Sequence, residues 1–320
     1  MKQHLRFSVG KRWVLSLACL CGSLTSFSQY GEKSSSWEIG ITLGPSNFLG
    51  DLGGNKGKGT TFLKDNNFPT TTLTYGAYVA YQPTEWLGFR LAGNLGRLEG
   101  DDAIIKGKGG YEEARKTRNL NFRSKLSEVL LLAEFYPTVF LEDDPSDVWH
   151  RLRPYVVAGV GMFKFNPQGQ DPKTGKWVDL QPLHTEGQGM KEYPDRKPYK
   201  LTEMNVPLGI GVKYFLNDKI SLSAEVIHRQ TFTDYIDDVS TNYIDPKLFF
   251  NNTKNVAQAQ LAARMANKSL PGPDQKYHAP GLQRGNSGRN DAYYTFGIKL
   301  GIRLGRSENF DNSTRCPIRF

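Results

Sequence analysis

Three groups of residues have types and spacings that chemistry can use. The five histidines, His4, His150, His184, His228 and His278, stand apart from one another and from any cysteine partner, so nothing supports a zinc site. Ser223, Glu225 and His228 supply the residue types of a lipid hydrolase, but strand alternation puts Ser223 and Glu225 on one face and His228 on the other. The carboxylates Asp234, Asp237 and Asp238, with Asp245 beyond, are close enough to hold a cation. No glycine or distal glutamate completes a calcium-loop spacing around them, so their expected role is to bond the backbone of a rigid loop base. The glycine-rich Gly53–Gly59 lacks the Gly-Lys-Ser/Thr ending of a phosphate loop. The expectation is a non-enzymatic chain with no catalytic residue, metal or cofactor; a lipid hydrolase is the remote alternative.

The elements that position these residues follow from a period of two. In 206–215, Val206, Leu208, Ile210, Val212 and Tyr214 alternate with Pro207, Gly209, Gly211 and Lys213. After Leu216–Lys219 the alternation resumes at Ile220, Leu222, Ala224 and Val226, so the two runs read as a hairpin. Eight stretches share this character: roughly 37–48, 71–82, 86–98, 120–136, 153–165, 203–215, 220–232 and 293–304. Each matches the ~9–11 tilted residues that cross a bilayer. The second, fourth and sixth connections are short, whereas the first, third, fifth and seventh run to about 22, 21, 37 and 60 residues. That alternation fits an eight-stranded antiparallel up-and-down transmembrane β-barrel with long external loops better than a soluble sandwich. Within the longest connection, Val256–Ala266 reads as an alanine-rich helix and Pro271–Asn290 as a polar linker. A connection of this length is expected to form an interaction surface or lid.

Residues 1–28 combine Lys2, Arg6, Lys11 and Arg12 with the apolar run Trp13–Leu20 and Ser26-Phe27-Ser28, the pattern of a cleavable signal peptide. The expected organisation is signal peptide 1–28, barrel 29–305 and periplasmic tail 306–320. Without residues 1–28 the net charge falls from +9 to +5 and only Cys316 of the three cysteines remains. A charge this small is no nucleic-acid footprint, and one cysteine excludes an internal disulfide.

The last strand sharpens the reading. Thr295, Gly297, Leu300 and Ile302 follow a polar-x-Gly-x-x-apolar-x-apolar pattern that resembles the assembly signal of outer-membrane barrels, which makes the barrel assembly machinery and outer-membrane lipid expected partners. Tyr75, Tyr78, Tyr81, Trp86, Phe135, Tyr136, Tyr155, Tyr214, Tyr293 and Tyr294 lie near strand ends, where a lipid-facing barrel carries aromatic girdles. An eight-stranded barrel is just wide enough for side chains. Its candidate lining includes Arg90, Asn94, Lys213, Glu225, Lys299 and Arg303, expected to pair as a plug that large solutes do not pass.

Several strings carry a family resemblance: EIG…NFLGDL (38–52), FNP (165–167), LQPLHTEGQG (180–189), LTEMNVPLGIGVKY (201–214), RQTFTDYIDDVSTNYID (229–245), RGN (284–286) and DAYYTFGIKL (291–300). Together they resemble the Bacteroidetes outer-membrane β-barrel family related to the type IX secretion component PorG. The resemblance singles out the loop base Thr231, Phe232, Thr233, Asp234, Tyr235, Asp237 and Asp238. It implies a structural or anchoring component of the type IX protein secretion and gliding machinery, working with periplasmic ring proteins of the PorK/PorN kind. A standalone small barrel, narrow porin- or adhesin-like, that binds a ligand through its external loops is the alternative. External loops cannot reach a periplasmic ring, so such a contact would fall to the short turns, the 137–152 connection or the tail.

Overall fold

The computed structural model describes residues 35–52, 68–105, 112–142, 148–271 and 278–304. The segments 1–28 and 306–320, and Gly53–Gly59, lie outside the described residues. Eight long strands form: β1 (Ser36–Leu49), β2 (Thr72–Gln82), β3 (Leu87–Asp101), β4 (Asn121–Phe135), β5 (Leu152–Lys164), β8 (Thr202–Phe215), β9 (Ile220–Thr231) and β10 (Ala292–Leu304). Two short ones, β6 (Pro167–Gln170) and β7 (Trp177–Asp179), extend the edge of β4 beyond the ring. The long strands pair antiparallel with their neighbours in sequence, β3 pairs β4, and β1 pairs β10, so the eight long strands close into a ring. This is an eight-stranded antiparallel up-and-down barrel, and its eight strands match the eight alternating stretches to within a few residues. Closure satisfies every ladder internally, as a span through lipid requires.

Alternation fixes what each face meets. Outward positions are apolar and exposed: Ile39, Ile41 and Leu43 on β1, Leu91 and Leu95 on β3, Val129 and Leu131 on β4, Leu208 and Ile210 on β8, Ile298, Leu300 and Ile302 on β10. This belt runs over about eight to ten residues per strand, which at ~3.3 Å per residue and a tilt of ~40° spans ~20–25 Å, the height of a lipid-facing band. No helix among the described residues is long and apolar enough to cross a membrane. At the short-turn end, Trp86 packs against Phe135 and Phe140 with ring centroids 6.2 and 6.1 Å apart, and Trp37 sits 4.8 Å from Tyr81.

Four of the expected girdle aromatics point the other way. Tyr78, Tyr136, Tyr155 and Tyr293 are buried inside the barrel. Position near a strand end does not decide a face; parity does, and each of these four alternates with a lipid-facing neighbour. Tyr75, Phe135 and Tyr214 do face outward.

At the other end the long connections fold into a cap. The helix expected at Val256–Ala266 forms, here α2, preceded by α1 (Lys247–Asn252). Leu180, Leu183, Met190, Ile244, Phe249, Ala259, Ala262 and Met265 bury one another in a core that joins the β5–β8 and β9–β10 connections. The stretch Pro271–Asn290, expected as a linker, carries two anchors among its described residues, buried His278 and Arg284.

Candidate functional site

Inside the barrel the inward positions of all eight strands converge on a paired charge network. Glu225 of β9 receives both terminal nitrogens of Arg90 from β3, at 3.2 and 2.9 Å, with Lys299 Nζ at 3.0 Å and the Tyr155 hydroxyl at 2.7 Å. Glu134 of β4 lies 3.2 Å from Arg90 Nε, 3.4 Å from Lys299 Nζ and 3.9 Å from Lys213 Nζ, and accepts the Tyr136 hydroxyl. Glu38 of β1 takes Tyr78, Lys213 and Ser221 at 2.8, 3.3 and 3.1 Å. Nearer the cap, Glu128 accepts from Asn94, Arg229 and Tyr293, each at 2.8 Å. Four carboxylates thus meet four cations, all almost wholly buried. Packed charges of this kind hold each other in place only when each has its partners, and here each has at least two.

Of the lining proposed from sequence, Arg90, Asn94, Lys213, Glu225 and Lys299 come together. Arg303 does not join the centre: it is half-buried at the short-turn end, its guanidinium 4.4 Å from the centre of the Phe215 ring. Glu38, Glu128, Glu134, Arg229 and the tyrosines complete the network. Gly40 and Gly301 make room for it, since a Cβ on either would stand 2.6 Å from Tyr78. The gap left between Arg90, Asn94, Glu225, Arg229 and Thr295 measures about 20 Å³, room for roughly one water.

Two lids close this lumen. At the short-turn end Arg153 pairs with Glu85 and Glu142, each at 3.2 Å, and His150 Nδ1 lies 3.2 Å from Glu142. At the cap end Leu98, Phe122, Leu126, Phe163 and Tyr293 form an apolar layer into which Ile236 and Val239 insert.

Ile236 and Val239 belong to the loop base. The Thr231 hydroxyl donates to Asp291 O at 2.6 Å and Asp291 N donates to Thr233 O at 2.9 Å, so β9 and β10 stay joined above their ladder. Asp237 accepts from Leu52 N and Val239 N, both at 3.0 Å. Asp238 adopts left-handed backbone with φ of 65°, tolerated by Asp, and accepts the Thr185 and Tyr199 hydroxyls at 2.5 and 2.7 Å. Tyr199 stacks on Tyr235 at 4.7 Å and 8°. Phe232 faces outward and is exposed. Arg284 fastens the whole: it donates to Glu186 at 2.8 Å, to Asp238 O at 2.6 Å and to Ala266 O at 3.0 Å.

The loop base is acid-rich. Burial raises the Asp234 carboxyl to about 8 and the Asp238 carboxyl to about 6, the latter restrained by Arg284. Asp237 is raised well above the ordinary range, first by burial and then by the charges of Asp51 and Asp234, and Asp291 likewise by burial and then by Asp237, Asp234 and Asp51. Among the described residues no group of histidine, cysteine, aspartate or glutamate has a metal-holding arrangement. The two remaining sets separate as alternation requires. Ser223 lies inside the lumen and His228 on the lipid-facing side, so they form no hydrolase set. On β10, Thr295 and Gly297 face the lumen while Leu300 and Ile302 face outward.

A family model described as "Domain of unknown function (DUF6089)" matches residues 12–256, and the chain belongs to that family. No curated protein matches it. Among solved structures it is similar to Ail, the attachment invasion locus protein of Yersinia pestis, at 9% identity and a TM-score of 0.33, covering 84% of this chain and 97% of that one. It is also similar to outer membrane protein OprG from Pseudomonas aeruginosa, at 12% identity and a TM-score of 0.36, covering 86% and 99%. Outer Membrane Protein W of E. coli matches at 16% identity and a TM-score of 0.32, covering 86% and 100%. At these values the fold assignment rests on the strand pairing itself.

Proposed function

We propose that this DUF6089 chain is a non-enzymatic, non-conducting barrel of the bacterial outer membrane that works through its two ends. The observation that carries the reading is the lumen: four buried carboxylates locked to four buried cations, closed above by an apolar layer and below by Arg153 and its partners. A closed barrel with an apolar outer belt is a membrane span, and in bacteria such barrels occupy the outer membrane.

The role is that of a structural or anchoring component of the type IX secretion apparatus. The sequence strings that resemble the PorG-related barrels support it, as does a barrel sealed against solutes, whose remaining use is to hold something. The partners are PorK/PorN-like ring proteins, met at the short-turn end. The test is to cross-link outer membranes, purify the tagged chain with and without residues 306–320, and identify what accompanies it by mass spectrometry. Ring proteins captured with the full chain support the role, and their loss on truncation puts the contact on the tail. No ring protein in either sample removes the secretion role.

One observation favours a second reading, a standalone barrel that binds a ligand from the medium. The cap has a hydrophobic core of its own, more than simple connection requires. Ligand capture by the cap in cells without a secretion defect on deletion is the result that selects it.

A further inference from the structure

Just above the lipid-facing belt, at the cap end, the outward faces of three adjacent strands change from apolar to basic. On β3 the outward series runs Leu91, Gly93, Leu95, Arg97, Glu99, Asp101; on β4, moving toward the cap, it runs Leu131, Val129, Ser127, Lys125, Arg123; on β5 it runs Val160, Met162, Lys164. Register brings these together. Arg97 lies directly opposite Lys125, and Lys164 lies opposite Ser127, so the cations occupy successive rungs on neighbouring strands.

Their charge is compensated in part, and on the cap side more than on the belt side. Arg97 pairs with Glu99 at 3.3 Å in an exposed bridge, a contact of small energy. Arg123 lies 4.3 Å from the centre of the Trp177 ring and donates to Gln168 at 3.0 Å, while nearby Asp179 is occupied by Asn166 and Gln168. Lys125 and Lys164 are exposed and make no hydrogen bond or ion pair among the described residues. Arg123 thus has Glu99 opposite it and Asp179 nearby, and Asp101 is turned to Ala103 N, while Arg97, Lys125 and Lys164 stand together on the belt side of these acids. Around the rest of the ring the corresponding outward positions are uncharged: Leu73 on β2, Gln230 and Phe232 at the end of β9, Tyr294 on β10. The basic arc is therefore local to β3–β5, and it is continuous with the apolar belt beneath it.

We propose that Arg97, Arg123, Lys125 and Lys164 form a binding site for the phosphate groups of a phosphorylated glycolipid in the external leaflet, whose acyl chains lie along the belt below. The inference rests on the outer-membrane reading. Two independent features of one lipid, acyl chains against Leu91, Leu95, Val129 and Met162 and phosphate against the arc, then match two adjoining surfaces. Basic side chains at a membrane surface each add about fivefold to the attraction for anionic lipid, reduced by the paired Glu99. The site gives the barrel a preferred rotational face toward bound lipid.

The test starts with fractionation. The folded chain is extracted from outer membranes in mild detergent, recognised by its heat-modifiable mobility, and presented with diphosphorylated lipid A or phosphate-free lipid A; retained lipid is counted by native mass spectrometry. The expected result is preferential retention of the phosphorylated form, lowered about tenfold or more in R97Q/K125Q/K164Q, with retention of the phosphate-free form unchanged. If that variant does not reach the folded band, K125E alone is read the same way, since it alters one exposed position. Equal retention by wild type and variant overturns the site, as does equal retention of the two lipids by wild type. A chain absent from the outer-membrane fraction overturns the location and the site together, a result seen before any lipid is added.

Discussion

Two regions of this barrel bury carboxylates, and they do it in opposite ways. In the lumen, Glu38, Glu128, Glu134 and Glu225 are matched by Arg90, Lys213, Arg229 and Lys299, with tyrosine hydroxyls filling remaining positions. At the loop base, Asp237 and Asp291 lie in the field of Asp234 and Asp51, while Arg118, whose charge reaches Asp237, is committed to Asp102 at 2.7 Å. The lumen is held by opposite charges. The loop base is held by hydrogen bonds, and burial favours the protonated form of Asp234, Asp237 and Asp291. A balanced network is rigid but intolerant of single deletions; an acid-rich one depends on the solution.

The largest effect should follow from unbalancing the lumen. Glu134→Ala removes the carboxylate shared by Arg90, Lys213 and Lys299, and a buried pair broken on one side costs about 3–5 kcal/mol. A lower urea midpoint for the heat-modifiable band is the expected readout, and an unchanged midpoint would mean that the network contributes little. Next is Arg284→Ala, which strips Glu186 of its cation and should cost the cap roughly 2–3 kcal/mol. Protease cleavage within 233–291 should appear while the barrel keeps its folded mobility; simultaneous loss of both would show that cap and barrel are one cooperative unit.

The contrast itself is tested by pH. A carboxyl whose pKa is raised in the fold keeps a proton that the opened segment releases, so stability falls as pH climbs from about 4 toward the folded value. For Asp234, raised to about 8, the fall should continue through neutrality and level off above it. Each proton released is worth up to about 1.4 kcal/mol per pH unit. Hydrogen exchange in residues 232–241, corrected for its intrinsic pH dependence, should therefore speed up between pH 6 and 9; flat protection would refute the protonated loop base. The smallest effect is expected from Asp291→Asn. It keeps an acceptor for Ile236 N, bonded at 2.8 Å, and removes one carboxyl that the fold must keep protonated. A gain of about 1 kcal/mol in cap stability near pH 8 and a shallower slope are predicted.

Much of this architecture is legible in the sequence because a barrel strand has one solvent-like face and one lipid face. Where that contrast is clean, as in Val206–Tyr214 or Tyr294–Leu304, parity alone places Lys213 and Lys299 inside. It fails on β4, where Leu130 and Leu132 face the lumen while Val129 and Leu131 face lipid, so both faces look apolar and Glu134 has no visible side. Glu38 was within reach of the same rule, flanked by outward Trp37 and Ile39. Tyr78, Tyr136, Tyr155 and Tyr293 mislead because an amphipathic ring suits an interface as well as a carboxylate partner. The cap is opaque for another reason. Its anchors, Arg284 and Glu186, are 98 residues apart, and nothing in either local sequence announces the pairing. Only the helix Val256–Ala266, a matter of local propensity, could be read directly.

The proposed function requires a sealed lumen. The direct test is single-channel recording of the folded full chain in a planar bilayer at high salt. A silent membrane with the protein demonstrably inserted is the expected result. Regular current steps that scale with salt concentration would contradict it, because ions would then be passing the Arg90, Glu225, Lys299 and Glu134 cluster that is held to close the barrel.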